Sequence, residues 1–238
     1  MRSQLKRLEW DSDFFGLDVY SFQKSILDKD DIIALIDDFL STKKSLVYFF
    51  LDRELEFELP DGINIQLVDR KVTYLKKVPS YREVSEHIKE LKMSDVHLPK
   101  AIDLAIQSGE YSRFKIDIKI PAFKHVELYE KWIINSLNKK VADRVNGYFI
   151  NDELAGLVTL TEKSNRADIG IIAVDTMYRG QSIGKKLVLS AEEFAMQNDF
   201  GELQVVTQED NLAACKFYNS CGFEQESTKY VYHLWINE

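Results

Sequence analysis

Ile171-Ile-Ala-Val-Asp-Thr-Met-Tyr-Arg-Gly-Gln-Ser-Ile-Gly-Lys185 is the stretch whose pattern decides the fold. Upstream, Asp168 leads into the apolar run Ile169-Gly-Ile-Ile-Ala-Val174, which reads as a strand buried on both faces. After Arg179-Gly180 the period changes. Ile183, Leu187, Ala191 and Phe194 recur at helical spacing, and the pattern turns Lys185, Lys186, Glu192 and Glu193 outward. The Arg179 to Gly184 turn therefore opens a helix, where the first backbone N–H groups lack an intrahelical acceptor and the dipole is positive. Such a terminus favours a phosphate group, and Gly180 and Gly184 allow close approach to the backbone. The same turn also suits an ordinary helix cap.

A second element follows. Gly201-Glu-Leu-Gln-Val-Val-Thr207 reads as a strand, and Asn211 as the N-cap of the helix after it. Asn211 and Tyr218 share a helix face about 10.5 Å apart along the axis, with the small Ala214 between them. That leaves room for a chain-like ligand. The alternative is a half-buried amphipathic helix with Ala213, Phe217 and Cys221 as its core stripe and Tyr218 at the boundary.

Together these residues resemble the GNAT superfamily of acyl-CoA-dependent N-acetyltransferases. The family's pyrophosphate loop, Arg/Gln-x-x-Gly-x-Gly/Ala, is matched by Arg179 and Gly184, with Ser182 where the first Gly is usual. A Ser N–H still donates there but narrows the room beside the ligand. Asn-x-x-Ala-x-x-x-Tyr-x-x-x-Gly-Phe is complete in Asn211, Ala214, Tyr218, Gly222 and Phe223. Further segments, Leu8-Glu-Trp-Asp-Ser-Asp-Phe-Phe-Gly16, Ser112-Arg-Phe114, Tyr129-Glu-Lys-Trp-Ile-Ile-Asn135 and Glu226-Ser-Thr-Lys-Tyr230, resemble the TDP-fucosamine acetyltransferase group. That group acetylates the 4-amino group of a dTDP-4-amino-4,6-dideoxy sugar for surface-polysaccharide synthesis.

The resemblance implies an α/β (α+β) GNAT fold, a mixed central sheet with helices on both faces, over residues 80–238. A small N-terminal α/β accessory domain, residues 1–79, would contribute to the acceptor site, with Pro79-Ser80 as the joint. It implies acetyl-CoA as co-substrate, held by Ile172, Ala173, Val174, Arg179, Gly180, Gln181, Ser182, Ile183, Gly184, Lys185, Asn211, Ala214 and Phe217. A backbone N–H at Ile172 or Ala173 would stabilise the oxyanion, and Tyr218 would be the general acid. Asp168 is a candidate base or a solvated strand-end carboxylate, and an amine deprotonated in bulk needs no base. Arg113 is a candidate partner for a nucleotide phosphate or a surface arginine on a loop. The alternatives are a GNAT acting on an amino acid, polyamine or protein N-terminus, and a non-catalytic acyl-CoA-binding domain.

Bulk properties fit a soluble enzyme, expected in the cytoplasm. The 238 residues carry a net charge of -8, which argues against a nucleic-acid surface. No run approaches the apolar length of a membrane span, and Met1-Arg-Ser-Gln-Leu-Lys-Arg7 lacks a signal-peptide core. The four histidines are scattered, so no metal site is expected. Cys215 and Cys221, six apart on one helix, read as packing thiols. The exposed edges of a split sheet are compatible with a homodimer.

Along the chain, helices are expected at Asp31 to Leu40, Leu98 to Gln107 and Val126 to Leu137. Strands are expected at Ser45 to Leu51, Ile63 to Val78, Gly147 to Ile150, Leu154 to Thr161, Ala167 to Val174 and Tyr230 to Trp235. Asn151-Asp152-Glu153 reads as a turn.

Overall fold

The computed structural model describes residues 4–39, 44–57, 63, 65–78, 86–94 and 97–237. Leu40 and the expected joint at Pro79-Ser80 lie outside the described residues. In chain order the elements are β1 (Leu5–Arg7), α1 (Glu9–Phe15), β2 (Asp18–Phe22), α2 (Lys29–Phe39), β3 (Ser45–Leu51), β4 (Ile65–Lys77), β5 (Ile88–Glu90), α3 (Leu98–Ser108), α4 (Arg113–Ile116) and α5 (Ala122–Leu137). There follow β6 (Arg144–Ile150), β7 (Glu153–Lys163), β8 (Arg166–Val174), a 3-10 turn (Thr176–Tyr178), α6 (Ile183–Gln197), β9 (Glu202–Gln208), α7 (Leu212–Ser220) and β10 (Glu224–Ile236).

Two compact units result, one of Met1–Lys71 with Thr228–Glu238, the other of Val72–Ser227. The chain passes between them within β4 and again within β10. In the first unit β1 pairs antiparallel with β2, β2 parallel with β3, and β3 antiparallel with the end of β10. The apolar run Ser45–Leu51 is buried on both faces except Phe50, as a central strand requires. Ile32, Leu35 and Phe39 of α2 pack with Val47 and Phe49 into that unit's core.

The second unit holds the motifs. β5, β6, β7 and β8 pair antiparallel in that order, and β8 then pairs parallel with β9. Asn151 and Asp152 make the β6–β7 turn with positive φ, 48° and 63°. The sheet is covered on both faces. A Cβ on Gly156 would meet Leu187 and Ile183 of α6 at 3.2 and 3.4 Å, whereas one on Gly170 would face Trp132 of α5 at 3.7 Å. The core joins Val158, Leu160 and Ile169 of the sheet with Ile183, Leu187, Ala191 and Phe194 of α6, the stripe read from periodicity.

Glu192 corrects that periodicity. It was expected outward and is 0 % exposed. Its carboxylate pairs with Lys76 from β4 instead of water. A position away from one apolar face is solvated only when nothing else packs there, and α6 is enclosed on more than one side.

Candidate active site

The site is built where β8 and β9 part. Their parallel register runs Ala167↔Leu203, Asp168↔Gln204 and Ile169↔Val205 and then stops, although β8 continues to Val174 and β9 to Gln208. A bulge on β8 lies at this point: the register with β7 shifts between Val158 and Leu160, and the Thr159 hydroxyl accepts from the Ile171 N–H at 2.8 Å. A bulge bends its strand and strengthens its twist, which carries β8 away from β9. Thr159 was not singled out in the sequence, since an inward threonine on a strand carries no mark of this role.

Ladder alternation fixes which groups face the gap. Asp175 N–H donates to the Ala155 carbonyl at 2.9 Å, so in the register Leu157↔Ala173 the Ala173 N–H also points to β7. Ile172 and Val174 therefore turn their N–H and carbonyl groups to the unpaired side. Arg179 marks this side, since its Nε donates to the Val174 carbonyl at 3.1 Å.

Beyond Val174 the loop is tied down at Asp175. This buried carboxylate accepts from the Met177 N–H at 2.8 Å, capping the 3-10 turn, and forms an ion pair with Lys100 of α3. The Lys100 hydrogen bond, followed by that from Met177, holds the Asp175 carboxyl below its ordinary range. In turn Asp175 raises the Lys100 ammonium above its own. Tyr178 donates to Glu153 at 2.5 Å. An Asp directly after a strand and before Thr is a legible cap signal, but its lysine lies far away in sequence and carried none.

From there the backbone is poised for a ligand. Gly180 has φ +81° with open space where a Cβ would be, and Ser182 is left-handed at φ 60°, ψ 14°. The first backbone bond of α6 is Lys186 N–H to the Ser182 carbonyl at 3.2 Å. Among the described residues, none of the N–H groups from Gly180 to Lys185 reaches an acceptor in the protein. All but Ile183 of this loop stand at or near solvent. An array of unpaired donors at a positive helix end is an anion cradle.

Gly184 has a second local reason beside the one read in the sequence. A Cβ there would lie 3.0 and 3.1 Å from ring carbons of Phe217, so the ring of α7 occupies the space the missing side chain leaves. Val174, Gly184 and Phe217 are thus brought together at the mouth of the gap. Asn211 caps α7 as expected, accepting from the Ala214 N–H at 3.1 Å. Tyr218 lies in the core with Tyr74, Ile183 and Phe223, 4 % exposed, while Ala213 is exposed. The half-buried stripe with a boundary tyrosine does not describe this helix. Among the described residues the Tyr218 hydroxyl has no hydrogen-bond partner, and burial, aided by the nearby Cys221 and Cys215 thiols, pushes its phenol well above the ordinary value.

Asp168 stands in the paired part of β8 and accepts from the Gln204 amide at 2.7 Å. It lies four positions before Ile172, about 13 Å along a regular strand and less across the bulge. Arg113 opens α4, where Ser112 caps the turn by accepting from the Phe114 N–H at 3.3 Å and the guanidinium lies 4.5 Å above the Phe114 ring. Among the described residues no group of His, Cys, Asp and Glu is placed to hold a metal ion. None of their helices is long and apolar enough to cross a membrane.

A split between parallel strands, directly ahead of a helix end whose backbone donors are unpaired, marks a class of protein with room for an extended ligand that carries an anionic group. The model of the acetyltransferase (GNAT) family matches residues 101–223, and the chain belongs to that family. Its members use acetyl-CoA. The chain is 25% identical over 133 residues to the spore coat polysaccharide biosynthesis protein SpsD of Bacillus subtilis, covering 56% of this chain and 46% of that one. It is 30% identical over 101 residues to a streptothricin acetyltransferase of Escherichia coli, covering 42% and 58%. The match thus spans about half the length of these relatives. The structure of a GCN5-related N-acetyltransferase from Sphaerobacter thermophilus shares the fold, with 13% identity, 88% and 65% coverage and a TM-score of 0.52.

Proposed function

We propose that this chain transfers the acetyl group of acetyl-CoA to the amine of a nucleotide-linked amino-deoxy sugar of the dTDP-4-amino-4,6-dideoxyhexose type. The observation that carries the transfer chemistry is the parting of β8 from β9 directly ahead of the Gly180–Lys185 cradle. In this reading the pyrophosphate lies on that cradle with Arg179, Gln181 and Ser182. The pantetheine arm pairs with the edge of β8 at Ile172 and at the Val174 N–H, beside the Val174 carbonyl that Arg179 already holds, and runs past Ala214 and Phe217. The thioester carbonyl meets the Ile172 N–H. Ala173, whose N–H is turned to β7, packs rather than donates.

The neutral amine attacks the thioester carbon and makes the C–N bond, the oxyanion of the resulting tetrahedral intermediate rests against the Ile172 N–H, and its collapse re-forms the carbonyl, breaks the C–S bond and releases the CoA thiolate. In water a phenol near 10 gives its proton to a thiolate near 8.5 only at a cost of about 2 kcal/mol. Burial raises the phenol, and it raises the proton affinity of a desolvated thiolate for the same reason. Tyr218 therefore donates a hydrogen bond that tightens as charge reaches sulfur. Asp168, buried against Gln204 and too far for direct contact, receives the amine proton only by relay, and an amine deprotonated in bulk before binding needs no base. Arg113 pairs with an acceptor phosphate.

The acceptor class rests on the resemblance of short segments to the TDP-fucosamine acetyltransferase group and on the likeness to a spore coat polysaccharide biosynthesis protein, which covers more of the chain than the likeness to the streptothricin acetyltransferase does. The test is incubation with acetyl-CoA and a panel of dTDP- and UDP-linked amino sugars, following thiol release and product mass. A sugar-dependent signal is expected, lowered about 10²–10⁴-fold in Tyr218→Phe. Thiol release indifferent to every sugar would sink the acceptor assignment and bring amino acids, polyamines and peptides forward.

A further inference from the structure

The Lys76 ammonium sits where three groups converge. It pairs with the Glu192 carboxylate of α6, donates to the Cys221 carbonyl at the end of α7, and lies 5.7 Å above the Phe223 ring. The pair is deeply enclosed, with side-chain exposures of 15% for Lys76 and 0% for Glu192. Gly222 turns the chain beside the lysine: its φ is +82°, and a Cβ there would be in ordinary contact with the lysine Cε and Nζ at 3.7 Å.

A buried ion pair is a poor source of net stability, because desolvating two charges offsets most of their attraction. Its geometry has a clearer consequence. The turn held by Lys76 is also the turn that holds Tyr218: the Tyr218 carbonyl accepts from the N–H groups of Cys221 at 3.0 Å and Phe223 at 3.1 Å. A cation at the C-terminal end of α7 complements the helix dipole as well. One ammonium thus joins α6, whose first residues form the cradle, to the end of the helix that carries the phenol.

We infer that Lys76 and Glu192 are positioning residues, which fix the Tyr218 hydroxyl relative to the α6 cradle and so place it at the sulfur of bound CoA. This rests on the proposed role of Tyr218. The Tyr218 ring is held by packing against Tyr74, Phe217 and Phe223, so a rotation of α7 would carry the hydroxyl with it.

Calorimetric binding of CoA and of desulfo-CoA tests this without an acceptor, since the two ligands differ only at the sulfur. The wild type is expected to prefer CoA by about fivefold, the worth of one hydrogen bond, and Tyr218→Phe to lose that preference. The paired variant Lys76→Met with Glu192→Met, which replaces the ions by apolar groups of similar length, should bind desulfo-CoA as the wild type does yet show no preference. If it fails to fold, Lys76→Met with Glu192→Gln carries the same comparison. A retained preference in the folded paired variant overturns the positioning role while leaving that of Tyr218 intact. A preference that survives Tyr218→Phe removes the acid assignment itself.

Discussion

Gly184→Ala is a small change with a calculable effect. The family pattern admits Ala at this position, but here the new methyl carbon would lie 3.0 and 3.1 Å from Phe217 ring atoms and 3.8 Å from Val174 Cγ2. Carbon atoms rest at about 3.5–4.0 Å, so the ring must retreat by about half an ångström. Replacing Gly by Ala in a helix gains about 0.5–1 kcal/mol, and overfilling a packed contact costs about 1–3 kcal/mol. A net loss of about 1 kcal/mol follows, roughly 2–4 °C in Tm for a chain of this size. The displaced ring also moves α7 from the mouth of the gap. Loss of one well-placed hydrogen bond to the cofactor would weaken CoA binding about fivefold. Thermal melts and calorimetry on Gly184→Ala, Phe217→Leu and the double variant measure both effects. The smaller leucine should relieve the clash, giving a coupling of at least about 0.5 kcal/mol. Additive effects, or a single variant that melts higher and binds CoA as tightly as wild type, would refute the contact's role.

Ser182→Gly should stabilise the protein by about 1 kcal/mol, because Ser182 holds a left-handed φ of 60° that glycine adopts without penalty; a lower melting temperature would contradict this. The Lys100–Asp175 pair sets a pH window. The depressed Asp175 carboxyl contributes fully above its unfolded value near 3.9 and loses that contribution as pH falls through the folded one. The raised Lys100 contributes fully below about 10.4 and loses it as pH rises through its folded value. Urea unfolding of Lys100→Met should therefore show a deficit that is constant from about pH 5 to 9 and shrinks below about pH 4; an unchanged deficit at pH 3 would argue that the lysine acts by packing alone.

Local periodicity carried the order of elements a long way. The strand Ser45 to Leu51 has the expected bounds, Asn211 caps its helix, and the helix from Ile183 buries its expected stripe, because side-chain alternation and capping depend on neighbours within a turn or two. The same locality explains the failures. Glu192 looked solvated because its partner Lys76 lies on a distant strand. The alternative of Tyr218 as a boundary residue fell because its cover comes from Tyr74, Ile183 and Phe223, which spacing within its own helix does not show.

For the site, the sequence by itself placed the candidates: the loop Gly180 to Lys185 at a helix start, the arginine before it and the tyrosine two turns into the next helix. Tertiary structure alone decided what each of them faces. Which of Ile172 and Ala173 offers its N–H to the gap depends on the ladder with β7 and on a bulge. Why residue 184 is glycine depends on a ring from another helix. These are properties of pairing and packing between segments distant in the chain, and periodicity reports which face a residue occupies but not what meets it there.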